Sequence, residues 1–262
     1  MNDGVAVMPM YDWPEARAAV DRLWAAIRDR LRASGYRAPQ ELSRSLGLSE
    51  GWTQPDLVLG QACGLPLVQE LAGRVSLVGA ADHGLPGCAP GWYRSAIVAR
   101  ADDPRRAFRD FQQARLAIND RGSQSGWGAI LHHAAPLARQ GRFFGAVTVT
   151  GAHVHSVDLV AAGEADIASI DLVTWGYCLR HRPKARELAV LMLTDPTPGL
   201  PYIAATGTDV APLRQALAAA IADLPAQDRG AIGGMTRFVP MDVADYGLVA
   251  DRFAAASAVL RD

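Results

Sequence analysis

The sequence predicts an α/β protein of two lobes, each a mostly parallel sheet with flanking helices. Three observations carry that prediction. Apolar runs of strand length alternate with helix-length stretches along most of the chain, the pattern of βαβ units. A stretch from Asp82 to Trp92 rich in Gly and Pro (Gly84, Pro86, Gly87, Pro90, Gly91) breaks that rhythm into two blocks. The 262 residues, half of them hydrophobic, are enough for two lobes of roughly a hundred residues each. Residues 1–93 with about 208–262 make the first lobe and about 94–207 the second. A ligand cleft is expected between the lobes, at the carboxyl ends of the strands.

In the first block, residues 5–11 read as a strand, and Asp12-Trp13-Pro14-Glu15 opens a helix with Asp12 as its cap. Ala16, Val20, Leu23, Trp24, Ile27 and Leu31 then recur at helical spacing until Gly35 closes the helix. Residues 57–60 are a short strand, Gln61-Ala62-Cys63-Gly64 a turn, Leu65-Pro66 the start of a helix and residues 75–80 a buried strand. The second block begins with a long strand, 92–100, and a short helix capped at Asp103-Pro104. Strands at 116–119, 146–150, 167–170 and 188–193 alternate with helices at 126–139, 154–162 and 172–181. A strand at 202–206, an Ala-rich helix at 209–224 and a last helix at 246–260 complete the chain, the C-terminal helices returning to the first block.

A formal net charge of −1 supplies no basic face for nucleic acid or an anionic membrane. Cys63, Cys88 and Cys178 lack metal-type spacing, and their odd number argues against a disulfide framework, leaving a single Cys63–Cys88 bridge open. No apolar run approaches the roughly twenty residues of a membrane span. Met1-Asn2-Asp3-Gly4 leads straight into Val5-Ala6-Val7, with no basic region followed by an apolar one. The expected location is therefore the cytoplasm, or the periplasm if a leader precedes residue 1.

Chemistry gathers where strands give way to helices. An apolar run ends in Asn119-Asp120, turns through Arg121-Gly122 and opens a helix with Ser123-Gln124-Ser125-Gly126. A helix N-terminus has unpaired N–H groups and a partial positive charge. Two hydroxyls and a glycine added there make a cradle for an anion; alternatively Ser123 or Ser125 is an N-cap and nothing more. His153, at another helix start, is placed to donate to an oxyanion. Asp171 ends the 167–170 strand, either as a cap for the next helix or as an acceptor for a ligand group. Tyr11 ends the first strand, Gln61 offers an amide after the second, and alternation turns one of Trp92 and Tyr93 toward the cleft. The residue at the centre of a nucleophile elbow would be Ser, whereas here it is Gln124. There is no phosphate loop, no dinucleotide fingerprint and no metal-ligand spacing, His132-His133 included. No catalytic residue, cofactor or metal is expected.

In order and spacing these pieces resemble the phosphate/phosphite/phosphonate-type substrate-binding proteins of ABC transporters, which have the type II periplasmic binding protein fold. Trp92-Tyr93 sits at the crossing strand, and Ser123-Gln124-Ser125-Gly126 is similar to the family's Ser-Thr-Ser-Gly anion turn. Thr150-Gly151-Ala152-His153 is similar to its Thr-Gly-Ser-His segment, and Gly163-Glu164-Ala165-Asp166 to its Val-Ala-x-Gly-x-Ala-Asp signature. The resemblance implies that Ser123, Gln124 and Ser125, with Gly126, hold an oxyanion through hydroxyls and N–H groups, and that His153 donates to it. It also implies that Tyr11 and Tyr93 line the opposite lobe and that Asp171 reaches the ligand's far end. Gln124 replaces a Thr and removes one hydroxyl, which points to a ligand other than a phosphonate. Trp92, Trp127 and Trp175 suit a larger or flatter one.

The expectation is a monomeric, two-lobed solute-binding protein closing by hinge motion at residues 92–100 and 195–202 on a small anionic or zwitterionic molecule. Its partner is an ABC transporter permease, with neither nucleic acid nor membrane insertion involved. The same residues leave open an enzyme using His153 or Asp171 as acid or base, and a cytoplasmic ligand sensor.

Overall fold

The structure, a computed structural model, describes residues 3–261; Met1 and Asn2 of the N-terminal segment read above, and Asp262, lie outside the described residues. The chain divides into two compact units, Met1–Trp92 with Pro198–Tyr246, and Tyr93–Thr197 with Gly247–Asp262. The chain passes from one unit to the other at 92/93 and 197/198, inside both expected hinge segments, and again at 246/247.

The sheet of the first unit has the order Val5–Val7, Leu57–Gln61, Pro201–Ala205, Val75–Asp82, Arg237–Val239. That of the second has the order Ala146–Val149, Arg115–Ile118, Ile167–Asp171, Ser95–Arg100, Leu188–Leu193. Both are mixed rather than mostly parallel. Pro201–Ala205 and Ser95–Arg100 run antiparallel to both neighbours, and Arg237–Val239 runs antiparallel to Val75–Asp82. Pro201–Ala205 and Ser95–Arg100 are the strands by which the chain comes into each unit. With no crossover helix before them inside that unit, nothing obliges them to run parallel.

Helix Arg17–Ala33 buries Val20, Leu23, Trp24, Ile27 and Leu31, as its periodicity predicts, and Gly35 follows its end with φ +83°. Leu213, Leu217 and Ile221 of helix Ala211–Ala222 share that core, each such side chain contributing about 1.5–3 kcal/mol by its burial. The helix starts later than expected, with Ala16 at the cap position. Asp12 instead accepts from the Arg44 guanidinium at 2.6 and 3.0 Å. The first strand also stops at Val7, two residues before Pro9, which has no N–H for the ladder. Gln61 belongs to the strand Leu57–Gln61 rather than to the following turn.

In the second unit the single helix expected over 126–139 is three pieces. A wide π-type turn, Gln124–Gly128, runs into Ala129–Ala134 and a tight last turn, Ala135–Leu137, that contains Pro136. The turn widens because the Ser123 carbonyl accepts from both Trp127 N–H and Gly128 N–H at 3.0 Å. The short helix after residue 103 is Phe108–Phe111, where Asp110 accepts from Ala107 N–H at 3.0 Å, while Asp103 pairs with Arg105.

The last helix, Gly247–Val259, corrects the expected lobe boundaries: it belongs to the second unit, where Phe253, Ala256 and Leu260 join the core of Ile130 and Leu131. Periodicity tells which face of a helix is buried but not against which sheet. The short helix Ala226–Ala231 and strand Arg237–Val239 have too few residues to show a period. No disulfide joins any of the three cysteines, and no helix among the described residues is long and apolar enough to cross a membrane.

Candidate functional site

The polar cluster of the second unit is built on the turn that follows Arg115–Ile118. Asp120 sets that turn, accepting from Gly122 N–H with its carboxylate at 2.6 Å and from Ser123 N–H with its carbonyl at 3.1 Å. Ser123 is the N-cap: its Oγ accepts from Gly126 N–H at 3.0 Å. That same Oγ lies 3.4 Å from Ser125 Oγ, which in turn shares a hydrogen bond of 2.9 Å with His153 Nε2. From behind, Ser95 and Ser169 hydroxyls donate to the Ser125 carbonyl at 3.0 and 2.6 Å, fixing the peptide that carries the central hydroxyl. The Ser125 N–H has no partner among the described residues. Two hydroxyls, an imidazole and an unengaged N–H thus lie together at the start of a helix, while the Asp120 carboxylate of the same turn is taken up by Gly122 N–H.

Gly126 is fixed by close packing. A Cβ there would stand 1.8 Å from Asn119 Oδ1 and 3.2 Å from His153 Cε1. His153 opens the helix His153–Ala161, whose start is held by Thr150 Oγ1 within reach of the Ile118 and Ala152 carbonyls and of Ser156 Oγ. Burial pulls the His153 imidazole down to about 4, against a smaller opposing effect of the Ser169 main chain. The ring is therefore neutral at physiological pH, although part of the residue remains exposed.

Among the other candidates, Gln124 is buried with its amide oxygen folded over Gly128, where an added Cβ would lie 2.6 Å away. Asp171 is the cap of Leu172–His181, its Oδ1 accepting from Thr174 N–H at 2.9 Å, and it stands in register with Ser95. Tyr93, Trp127 and Trp175 are buried in the second unit. Tyr11, Gln61 and Trp92 belong to the first. Tyr11 packs 5.2 Å from Trp13 and edge-on, at 5.3 Å, to His83. Gln61 lines a cavity of about 10 Å³ with Tyr11 and Tyr202, and its carbonyl accepts from Trp52 Nε1–H at 2.9 Å. Trp92 is half-buried.

Sequence reading missed Ser95, Ser169 and Asn119. The available signal was a lone hydroxyl inside the apolar strand Ile167-Ala168-Ser169-Ile170, where a buried polar group needs a partner. Asp166 of the glycine-containing signature is a staple: it accepts from the Arg115 N–H and guanidinium at 2.8 and 2.9 Å, and those contacts hold its carboxyl at about 2.

A family model described as ABC transporter, phosphonate, periplasmic substrate-binding protein matches residues 56–246. No curated protein matches the chain in sequence. Several solved structures share the fold. PhnD1 from Prochlorococcus marinus, in complex with methylphosphonate, is 15% identical with a TM-score of 0.73, covering 96% of this chain and 97% of its own. XAC2383 from Xanthomonas citri bound to ATP is 16% identical with a TM-score of 0.73, covering 98% of each chain. A binding protein component of an ABC phosphonate transporter from Pseudomonas aeruginosa is 15% identical with a TM-score of 0.72, covering 98% of this chain and 88% of its own. The anion-type turn lies inside the matched region, and the match extends over well more than half of the sequence. The chain belongs to the phosphonate-type periplasmic substrate-binding proteins of ABC transporters.

Proposed function

We propose that this chain binds the phosphonate or phosphate group of a small solute at Ser123, Ser125 and His153, and delivers it as a periplasmic monomer to an ABC permease. The observation that carries this reading is the cluster of uncharged donors around Ser125. Its N–H is unengaged, its hydroxyl lies 2.9 Å from a neutral imidazole, and its peptide is clamped by two buried serines. Oriented neutral donors at a helix start suit a bound oxyanion. The similar Prochlorococcus and Xanthomonas proteins hold methylphosphonate and ATP, both of which carry such a group.

Gln124 contributes through its main-chain N–H in this reading, and Gly126 keeps the turn close to His153. Tyr11, Gln61, Trp92, Tyr93 and Asp171 are the further ligand contacts, on the strength of their positions at or near strand ends. The Ser125–His153 pair also has the spacing of a nucleophile and its base. An imidazole held at about 4 is a weak base at neutral pH, which favours binding over catalysis.

The test is thermal unfolding with methylphosphonate, inorganic phosphate, ATP and, as a carboxylate control, malate. A ligand at a hundred times its Kd adds about 2.7 kcal/mol to native stability, so at least one phosphorus oxyanion is expected to raise Tm by several degrees. If none does, or if a phosphate ester is turned over, the reading fails.

A further inference from the structure

We infer that the second unit carries an additional binding site for a small aromatic anion, a flat ring bearing a sulfonate, carboxylate or phosphate. A cavity of about 420 Å³ lies against the last helix, and none of Ser123, Ser125 and His153 lines it. Its size falls in the range of small-molecule sites. Trp127 is buried at this cavity, while Phe144 and Phe253 line it as half-buried rings. Three arginines, Arg121, Arg142 and Arg261, line it as well, and all three are exposed.

Arg121 lies over the Trp127 ring at 4.9 Å, the arrangement of a cation on a π-face. Arg142 and Arg261 have no acidic partner among the described residues. No Asp or Glu among the described residues lines the cavity. Aromatic walls with guanidinium groups and no carboxylate are complementary to a ring that carries negative charge. They are poorly suited to a cation or a neutral sugar. A small hydrophilic oxyanion, in turn, would leave the aromatic walls without a counterpart.

The experiment is a titration of the intact chain with 1-anilinonaphthalene-8-sulfonate, alongside the uncharged N-phenyl-1-naphthylamine. One sulfonate probe should bind per chain. The Arg142→Glu/Arg261→Glu double variant, altered only at exposed positions, should weaken it about tenfold or more, the loss of charge-assisted contacts. The uncharged probe should change by no more than about twofold. Equal affinity of the sulfonate for both proteins, loss of both probes together, or no binding at all overturns the site. Ser125→Ala should leave the sulfonate affinity unchanged; a parallel loss would place the probe at the oxyanion cluster instead and also overturn the inference.

Discussion

At the end of one strand and in the loop after another, the first unit places carboxylates that already have partners. Asp12 accepts from Arg44 at 2.6 Å, and Asp82 accepts from Arg237 at 2.9 Å and from Gly84 N–H at 3.0 Å. In the loops after Arg115–Ile118 and Ala146–Val149 the second unit places Ser123, Ser125 and His153, joined by bonds of 2.9 to 3.4 Å and uncharged. The difference bears on the proposed oxyanion site. Beside Asp12 or Asp82 an incoming anion meets a like charge, and the neighbouring guanidinium is already engaged. In the proposed role, an anion beside Ser125 would meet donors whose orientation is fixed before it arrives, so little reorganisation would accompany binding. The uncharged cluster also leaves no lone buried charge in the empty protein, which would cost several kcal/mol.

The sharpest way to break this comparison is Ser125→Ala. It removes the hydroxyl nearest to His153 while the N-cap of Ser123 and the clamp on the main-chain carbonyl stay in place. Loss of one hydrogen bond to a charged group corresponds to about 1.5–3 kcal/mol, so affinity for the best phosphorus oxyanion should fall roughly 10- to 100-fold by calorimetry. Arg44→Ala in the first unit should change it less than about twofold, since exposed ion pairs contribute little. Equal losses in the two variants would dissolve the distinction between the units.

Gly126→Ala separates packing from chemistry, because it adds one methyl group and removes no donor. With Asn119 Oδ1 at 1.8 Å from the new Cβ, either that side chain or the turn must shift, and unfolding by urea should show a loss of about 1–3 kcal/mol. Gly35→Ala gives the contrast in the first unit. Nothing lies within 4 Å of a Cβ there, so only the positive φ opposes it, and about 1 kcal/mol is expected.

Acid should distinguish His153 from the carboxylates. In the unfolded chain an imidazole titrates near about 6.5, whereas burial holds His153 at about 4. Between those values the unfolded state binds more protons than the native one. The stability gained by keeping the ring neutral is therefore complete above about pH 6.5 and is lost as pH falls through about 4. Allowing for the ring's partial exposure, wild type should lose about 2 kcal/mol more than His153→Gln between pH 7.5 and 4.5, measured by urea unfolding. His83 in the first unit and His133 in the second are also held low by burial, but they are present in both proteins and cancel in the difference.

Much of this molecule was legible because its signals are local. The stripe of helix Arg17–Ala33, the strand 188–193, the helix 172–181 and the polar turn at Ser123 all follow from periods and caps within a few residues. What sequence could not place depends on distant partners. Asp12 has the composition of a cap, yet Arg44, far along the chain, pairs with it. Ser95 and Ser169 look like ordinary strand residues until the sheet brings both to one carbonyl. The direction of a strand entering from another unit, and the sheet that receives the last helix, are likewise set by connections that no local pattern contains. Within the site, the cap reading of Ser123 holds, its oxygen accepting from Gly126 N–H, and that same oxygen faces Ser125, as the proposed binding role requires.

The smallest effect expected belongs to Gln124, the residue whose departure from a hydroxyl-bearing turn suggested an unusual ligand. Its side chain is buried and folds over Gly128, so in this turn the position differs from Thr mainly in what it packs against. Gln124→Thr should therefore alter the affinity for methylphosphonate by less than about threefold, under 0.7 kcal/mol or so, and leave the order of preference among phosphorus oxyanions unchanged. The shorter side chain leaves a gap at Gly128, and a stability loss of about 1 kcal/mol should accompany it. A gain of tenfold or more in phosphonate affinity would mean that a hydroxyl at this position reaches the ligand. The second unit's cluster would then have three hydroxyl contacts rather than two, and the missing one would be the reason this chain selects a different solute.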